Sequence, residues 1–409
     1  MKEIKSVVIV NDFAYTQGGA SRIAIDTAEM LAEAGLKVFF FCGDSANNSE
    51  LRNKDVTIVS TGQNENLKNK NKFVGAKNGI YNNLAKKRLK QLLSTLSPSE
   101  TVVHVHGWTK ILSSSIFDAA FELNFSVVLT LHDYFFACPN GGFYIYPDNK
   151  PCCLRAMGMK CRVKNCDSRC YAMKLYRLLR QDVQNKIVKL PQKIKYVITV
   201  SAYSEEILKE YFRKDVYVER IENYVDMPSR NERVTAERNK PFLFVGRLEV
   251  GKGIELFCDA VSSAGLPGVV IGDGSLAKDL KEKYKDIDFL GWKEKDDIYK
   301  NMEKARCLIF PSLWHETMGL TAVEALKAGV PVIASEGTAA AGLVANNKNG
   351  YIFKRANRED LIMKMKMCSD ENVERMSTEA FLAYRNKYDK RGYRKKIERL
   401  YKKIIREIR

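Results

Sequence analysis

The most constraining feature of this chain is the stretch from Phe310 to Pro331, FPSLWHETMGLTAVEALKAGVP. An apolar run, Cys307 to Phe310, stops at Pro311 as a buried parallel strand does, and Ala, Leu and Val then recur at helical spacing. The pattern predicts strand, loop, helix. Glu316 and Glu324 frame it, and on a single helix residues so spaced would point about 80° apart. Glu316 is therefore assigned to the loop and Glu324 to the helix. Between them Met318, Gly319, Leu320 and Thr321 would present free backbone N–H groups at a helix N-terminus, where hydrogen bonding and dipole both favour a phosphate. Thr321 and Glu324 also read as a T-x-x-E capping box, so these residues alone leave Glu324 open between helix cap and ligand contact.

The chain has 409 residues, 45% of them hydrophobic, enough for more than one core. No run approaches the roughly 18 uninterrupted apolar residues of a membrane span, and MKEIKSVVIVND enters a strand instead of a secretion signal. These features predict a cytoplasmic protein. The formal charge of +18 implies attraction to polyanions, with nucleic acid and anionic lipid as candidates. It is concentrated in two places. Leu67 to Leu93 carries Lys68, Lys70, Lys72, Lys77, Lys86, Lys87, Arg88 and Lys90 without an acid, and Arg385 to Arg409 holds twelve basic residues against three acidic ones. Apolar residues spaced through such runs fit a helix on an anionic membrane surface, and fit equally a solvated face whose Ile397, Leu400, Tyr401, Ile404 and Ile408 pack on the body.

Taken in order, SVVIV, then Gly18-Gly19, then a helical period closed by Gly35 and VFFFC, form a βαβ opening. Gly18-Gly19 would let backbone approach a ligand, although the spacing is not a dinucleotide fingerprint and also fits a simple turn. Two further strands, Thr101 to Val105 and Ser126 to Leu131, end in His106-Gly107-Trp108 and His132-Asp133-Tyr134. Strand ends are where ligands sit in parallel sheets. His104 and His106 share one strand face. Six of the ten cysteines, Cys138, Cys152, Cys153, Cys161, Cys166 and Cys170, cluster in the next segment. In a reducing compartment the cluster points to a structural zinc on four of the six or to unliganded thiols, and no C-x-x-C knuckle decides between them. A polar stretch around SRNERVTAERNK separates a second unit, which opens with PFLFVGRLEVGKGIELF. There Arg247 and Lys252 follow a strand ending at Gly246, cations suited to the two phosphates of a nucleoside diphosphate or to a solvated basic loop. Gly272 and Gly274 lie at the end of the next strand.

PS-x-x-x-E-T-x-G-L-x-x-x-E-A followed by A-G-x-P-V-I-A-S resembles the E-x7-E signature of retaining glycosyltransferases of family 4 with the GT-B fold. G-R-L-x-x-x-K-G, L-H-D and I-E-N-Y-V-D resemble that family too, with Tyr224 where it usually has Gly and Gly342 where it usually has a glutamate. The resemblance implies two Rossmann-like, doubly wound α/β domains facing a cleft: residues 1–226 for the acceptor with a Cys-rich insertion at about 138–170, a linker 227–240, a donor domain 241–384, and a basic helix 385–409 crossing back. It implies transfer of a hexose or N-acetylhexosamine, with retention, from a UDP- or GDP-sugar to a lipid-linked glycan in bacterial surface-polysaccharide synthesis, at the inner face of the cytoplasmic membrane.

In that assignment His132, Arg247, Lys252 and Glu316 are catalytic. Gly18, Gly19, Gly246, Gly272, Gly274, Met318, Gly319, Leu320, Thr321 and Glu324 bind the donor, with Glu316 on its sugar and Glu324 on its ribose. No cofactor or divalent metal is expected in the chemistry, and no nucleic-acid partner. The alternatives are a sugar-nucleotide epimerase or hydrolase of the same architecture, a nucleic-acid binder suggested by charge alone, and a non-catalytic zinc adaptor.

Overall fold

The computed structural model describes residues 4–227 and 231–407. Fifteen strands run in chain order: β1 (Ser6–Asn11), β2 (Lys37–Cys42), β3 (Val56–Ser60), β4 (Thr101–Val105), β5 (Ser126–Leu131), β6 (Tyr144–Ile145), β7 (Lys150–Pro151), β8 (Tyr196–Thr199), β9 (Tyr217–Arg220), β10 (Phe242–Val245), β11 (Gly268–Ile271), β12 (Ile287–Gly291), β13 (Cys307–Phe310), β14 (Val332–Ser335) and β15 (Gly350–Phe353). Seven make one parallel sheet in the order β3-β2-β1-β4-β5-β8-β9, and six make a second in the order β12-β11-β10-β13-β14-β15. In each sheet the order reverses beside the first strand: β1 lies between β2 and β4, and β10 between β11 and β13. The carboxyl ends beside such a reversal leave a crevice between diverging loops.

The apolar runs form strands because both faces of each sheet are covered. Along β1, Val8 and Val10 pack into one core and Val7 and Ile9 into the other, all without exposed surface. A third core, built on Phe242, Phe244, Ile271 and Leu308, belongs to the second sheet. Of the segment expected as a linker, residues 228–230 lie outside the described residues, and Val234 and Ala236 are buried in that third core.

The final helix, Lys390–Glu407, buries Tyr393, Ile397, Leu400, Tyr401, Ile404 and Ile405 against the first sheet. Its apolar stripe is therefore core, not a membrane face; Ile408 lies outside the described residues. Tyr224 packs here too, its hydroxyl donating to Asp26 and its ring 5.4 Å from that of Tyr393. This explains how a tyrosine stands where the family usually has glycine: Tyr224 is not among the residues of positive φ, so no glycine-only conformation is needed.

The Cys-rich insertion carries the hairpin β6–β7 and runs on, past its expected end at about 170, into the helix Tyr171–Asp182. Of the two readings of this cluster, structural zinc or unliganded thiols, the zinc does not find its ligands. Among the described residues no group of three or more His, Cys, Asp or Glu side chains could hold a metal ion. Cys138, Cys161 and Cys166 are buried, Cys152 is half-buried, and Cys153 and Cys170 are exposed. The ammonium of the fully buried Lys174 lies 3.3 Å from Cys166 Sγ and 3.6 Å from Cys161 Sγ, so a lysine already holds a place a metal ion would need.

Candidate active site

A cavity of about 530 Å³ opens between the two sheets. Loops at both strand-order reversals line it: Gln17 to Ala20 after β1, Lys110 after β4, Gly246 and Arg247 after β10, and Pro311, Ser312 and Glu316 to Thr321 after β13. Two helices begin at its wall, Gly19–Glu33 and Leu320–Ala328. The first N–H groups of a helix have no partner inside it, so both termini offer donors and positive dipole ends to one space. They come close: a Cβ at Gly19 would lie 3.2 Å from Leu320 Cδ1. Gly319 caps the second helix at φ +80°, a left-handed conformation that glycine adopts without strain. With Gly319 as N-cap, Thr321 lies inside the helix and the T-x-x-E capping box does not form.

Glu316 sits in the loop, as its spacing from Glu324 requires, and its Oε1 accepts from Lys252 Nζ at 2.5 Å, Trp314 Nε1 at 2.7 Å and Ser312 Oγ at 3.0 Å. Burial alone would raise this carboxyl, but the Lys252 charge and these three hydrogen bonds hold it below its ordinary value. Glu316 is thus ionised, and Lys252 is committed to it. Arg247 has no acidic partner among the described residues; it is exposed, with its guanidinium 5.8 Å from the Trp314 ring. Lys110 faces it across the cavity and donates to Gln17 Oε1 at 2.8 Å.

His132 lines the cavity at the end of β5. Its carbonyl accepts from Thr317 Oγ1 at 2.9 Å, tying the first half to the glutamate loop, and its Nε2 lies 2.9 Å from His106 Nδ1. His104 lies behind, its ring 4.2 Å from that of His106 and its nitrogens bonded to Tyr401 Oη and Thr130 Oγ1. Burial lowers His132 to about 4, so the imidazole is neutral at neutral pH.

Of the residues assigned from sequence, the cavity brings together Gly18, Gly19, His132, Gly246, Arg247, Lys252, Glu316 and Met318 to Thr321. Gly272, Gly274 and Glu324 are not among its lining residues. A Cβ at Gly272, whose φ is +140°, would lie 1.8 Å from the Gly246 carbonyl oxygen, so this glycine lets the loop after β11 pack directly on the loop that carries Arg247. Gly342 is exposed in a short 3-10 turn with nothing beside its Cβ direction.

Glu324 lies on the helix beside Tyr299, whose hydroxyl donates to its Oε1 at 3.5 Å. Burial raises this carboxyl to about 7 against the opposing pull of Lys295 and Tyr299. A carboxyl with a folded value above its unfolded one takes up a proton on folding, so its charge destabilises the folded chain above about pH 7 and that cost vanishes as pH falls. Glu324→Gln should therefore melt higher than wild type at about pH 8, with the gap shrinking as pH falls below about 7 and closing only near the ordinary carboxyl value of 4.5, in parallel melting curves. A gap independent of pH would contradict the buried, titrating carboxyl.

Four lining or supporting residues, Asp12, Lys110, Asn223 and Trp314, carry no local signal that marks them in the sequence. Lys110 is placed by Asp12, whose carboxylate accepts from the backbone N–H groups of Lys110, Ile111 and Leu112, each at 2.9 Å. Asn223 lines the cavity with its buried Oδ1 lacking a hydrogen-bond partner among the described residues. Its place in I-E-N-Y-V-D points to it only through the family resemblance. Trp314, inside the central stretch, carries no periodic pattern to mark it.

Comparison with known proteins decides the family. A sequence model described as Glycosyltransferase Family 4 matches residues 17–227, and one described as Glycosyl transferases group 1 matches residues 227–386. The chain belongs to glycosyltransferase family 4. The family-4 chain is 28% identical over 194 residues to the UDP-Gal:alpha-D-GlcNAc-diphosphoundecaprenol alpha-1,3-galactosyltransferase of Escherichia coli, covering 41% of this chain and 49% of that one. It is 32% identical over 128 residues to an uncharacterized glycosyltransferase of Methanocaldococcus jannaschii, covering 30% of this chain and 36% of that one. The matches thus span about half or less of these relatives' own lengths.

The fold of the family-4 chain is similar to sucrose-phosphate synthase of Thermosynechococcus elongatus, with TM-score 0.72, 15% identity and full coverage of both chains. It is similar to Anabaena HepE, solved in complex with UDP and glucose, with TM-score 0.66, 14% identity and coverage of 98% of this chain and 100% of that one. Its two facing parallel sheets are those of the GT-B fold.

Proposed function

We propose that this family-4 chain transfers a hexose or N-acetylhexosamine from a UDP- or GDP-sugar to a lipid-linked glycan of a bacterial surface polysaccharide, retaining the anomeric configuration. The observation that carries the reading is the convergence of two helix N-termini and Arg247 on one cavity between the sheets. When the glycosidic bond breaks, negative charge grows on the departing diphosphate, and preorganised donors aimed there lower the barrier. The E. coli relative's name, with its UDP-linked donor and diphosphoundecaprenol acceptor, supports both substrate classes.

Retention is supported by which bases the cavity holds. Glu316 is the sole carboxylate among its lining residues, and it is tied to Lys252, Trp314 and Ser312. His132, lowered to about 4, is a weak base. With no strong protein base at hand, the acceptor hydroxyl gives its proton to the leaving diphosphate oxygen. The bond from the anomeric carbon to that oxygen breaks as the acceptor oxygen bonds from the same face. In this scheme Glu316 holds sugar hydroxyls, Met318 to Leu320 donate from the backbone, His132 lines the sugar side, and Lys252 keeps Glu316 ionised. Glu324 is left to the ribose side, behind the cavity wall.

The test is a panel of UDP- and GDP-sugars scored by melting temperature. A ligand at about 100 times its Kd should add about 2.7 kcal/mol to folded-state stability. One donor should stand out, and its product should keep the donor's anomeric configuration by NMR. An inverted product, or free sugar with no acceptor product, would overturn the reading, the latter in favour of a hydrolase or epimerase.

A further inference from the structure

Among the described residues, ten of the seventeen large exposed apolar side chains lie in two segments far apart in sequence, residues 67–84 and 159–187, which the fold brings together. The helix Lys72–Ile80 lies against the helix Tyr171–Asp182 so closely that a Cβ at Gly79 would stand 1.9 Å from Tyr176 Oη. Phe73 is 89% exposed, Met159 79% and Ile187 65%. Leu175 and Leu179, one turn apart on the insertion helix, are about half exposed. Lys70, Lys72, Lys77 and Lys160 stand in the same two segments with no acidic partner among the described residues.

From this surface we infer that the Cys-rich insertion and the helix Lys72–Ile80 together form a docking face for an anionic lipid bilayer. Apolar side chains standing singly among unpaired cations match the boundary between headgroups and acyl chains, where each apolar side chain sinks a short way and each cation meets a phosphate. The two long basic runs divide on this point. In the first, Lys86 and Lys90 are spent on Asp118 and Glu122 and Lys68 on Glu65, leaving Lys70, Lys72 and Lys77 to the surface. In the final helix the apolar residues are buried, and Lys396 and Arg399 pair with Glu222 and Glu219.

The face borders the cleft. Asn66 donates its backbone N–H to the Lys110 carbonyl at 2.8 Å and its Nδ2 to the Ile111 carbonyl at 3.3 Å, so the segment leading to Phe73 is fastened to the loop that lines the cavity. For its purpose the inference rests on the lipid-linked acceptor proposed above: docking here would hold the cavity mouth toward the headgroup layer. Its test needs no sugar transfer.

The full chain is sedimented with vesicles of phosphatidylglycerol and phosphatidylcholine, and with vesicles of phosphatidylcholine alone. Wild type should pellet with the anionic vesicles only. Phe73→Glu combined with Leu175→Glu should lower that partition by about tenfold or more, whereas Lys402→Glu combined with Arg406→Glu should leave most of it. Because all four residues are exposed or on an outer helix face, circular dichroism and UDP or GDP affinity should match wild type, which separates loss of docking from loss of the donor site. The inference is overturned by a wild-type chain that ignores anionic vesicles, by equal binding to both compositions, by an unaffected Phe73/Leu175 variant, or by loss confined to the final-helix variant. Dimerisation abolished by Phe73→Glu in the absence of vesicle binding would overturn it too, assigning the face to a second copy.

Discussion

Arg247→Ala is expected to lower kcat by about 10²- to 10³-fold, the loss seen when one preorganised donor is removed from a developing negative charge. The expectation rests on a contrast between neighbours. Lys252 is held by Glu316 at 2.5 Å, while Arg247 forms no ion pair among the described residues and lies with its guanidinium 5.8 Å from the Trp314 ring. An exposed side chain without buried partners contributes little to folding, so the melting temperature should move by no more than about 2 °C. Arg247→Lys should recover part of the activity, because charge survives while the forked geometry does not. Steady-state kinetics beside melting curves check this. A variant with near-normal kcat, or one that loses activity only in proportion to stability, would remove Arg247 from the chemistry.

The second large effect is on stability and lies at the far end of the chain. Tyr401 is fully buried in the core of the first sheet, and its hydroxyl lies 2.6 Å from His104 Nδ1. Tyr401→Ala would empty an aromatic volume and leave His104 Nδ1 without a partner, at a cost of about 3–5 kcal/mol. Tyr401→Phe keeps the volume and loses only the hydrogen bond, for about 1–3 kcal/mol. Urea titrations of the two variants should therefore fall in that order below wild type. Equal midpoints for wild type and Tyr401→Ala would mean that the final helix does not complete the first core. The same substitution also probes the site indirectly, since Tyr401, His104, His106 and His132 form a continuous line of contacts from that helix to the cavity.

What the sequence shows and what it hides follow the range of the interactions. The central stretch was legible because its signals are local: Cys307–Phe310 is a strand, Leu320–Ala328 a helix and Val332–Ser335 the next strand, as apolar runs and helical spacing dictate. The eight-residue separation of Glu316 and Glu324 correctly placed one in a loop and one on a helix. That separation could not show that Glu316 would pair with Lys252, sixty-four residues away in sequence, because the pairing is set by two strands meeting in one sheet. Asp12, Lys110 and Asn223 were hidden for the same reason. Each is an ordinary polar residue until loops from separate strands converge. The cysteines left zinc and free thiols both open because spacing cannot show what stands among them: the fold exposes Cys153 and Cys170 and sets the Lys174 ammonium against Cys161 and Cys166. The final helix was legible as amphipathic, yet periodicity cannot say whether an apolar stripe meets protein or lipid.

The central claim is that a diphosphate binds between the two helix N-termini beside Arg247. Calorimetric titration of UDP, UMP, GDP and GMP into wild type and Arg247→Ala tests it most directly. For one base the diphosphate should bind about tenfold or more tighter than the monophosphate, a difference of about 1.4 kcal/mol, and Arg247→Ala should erase most of that gap. Equal affinity for diphosphate and monophosphate in wild type, or a gap that survives in the variant, would contradict it.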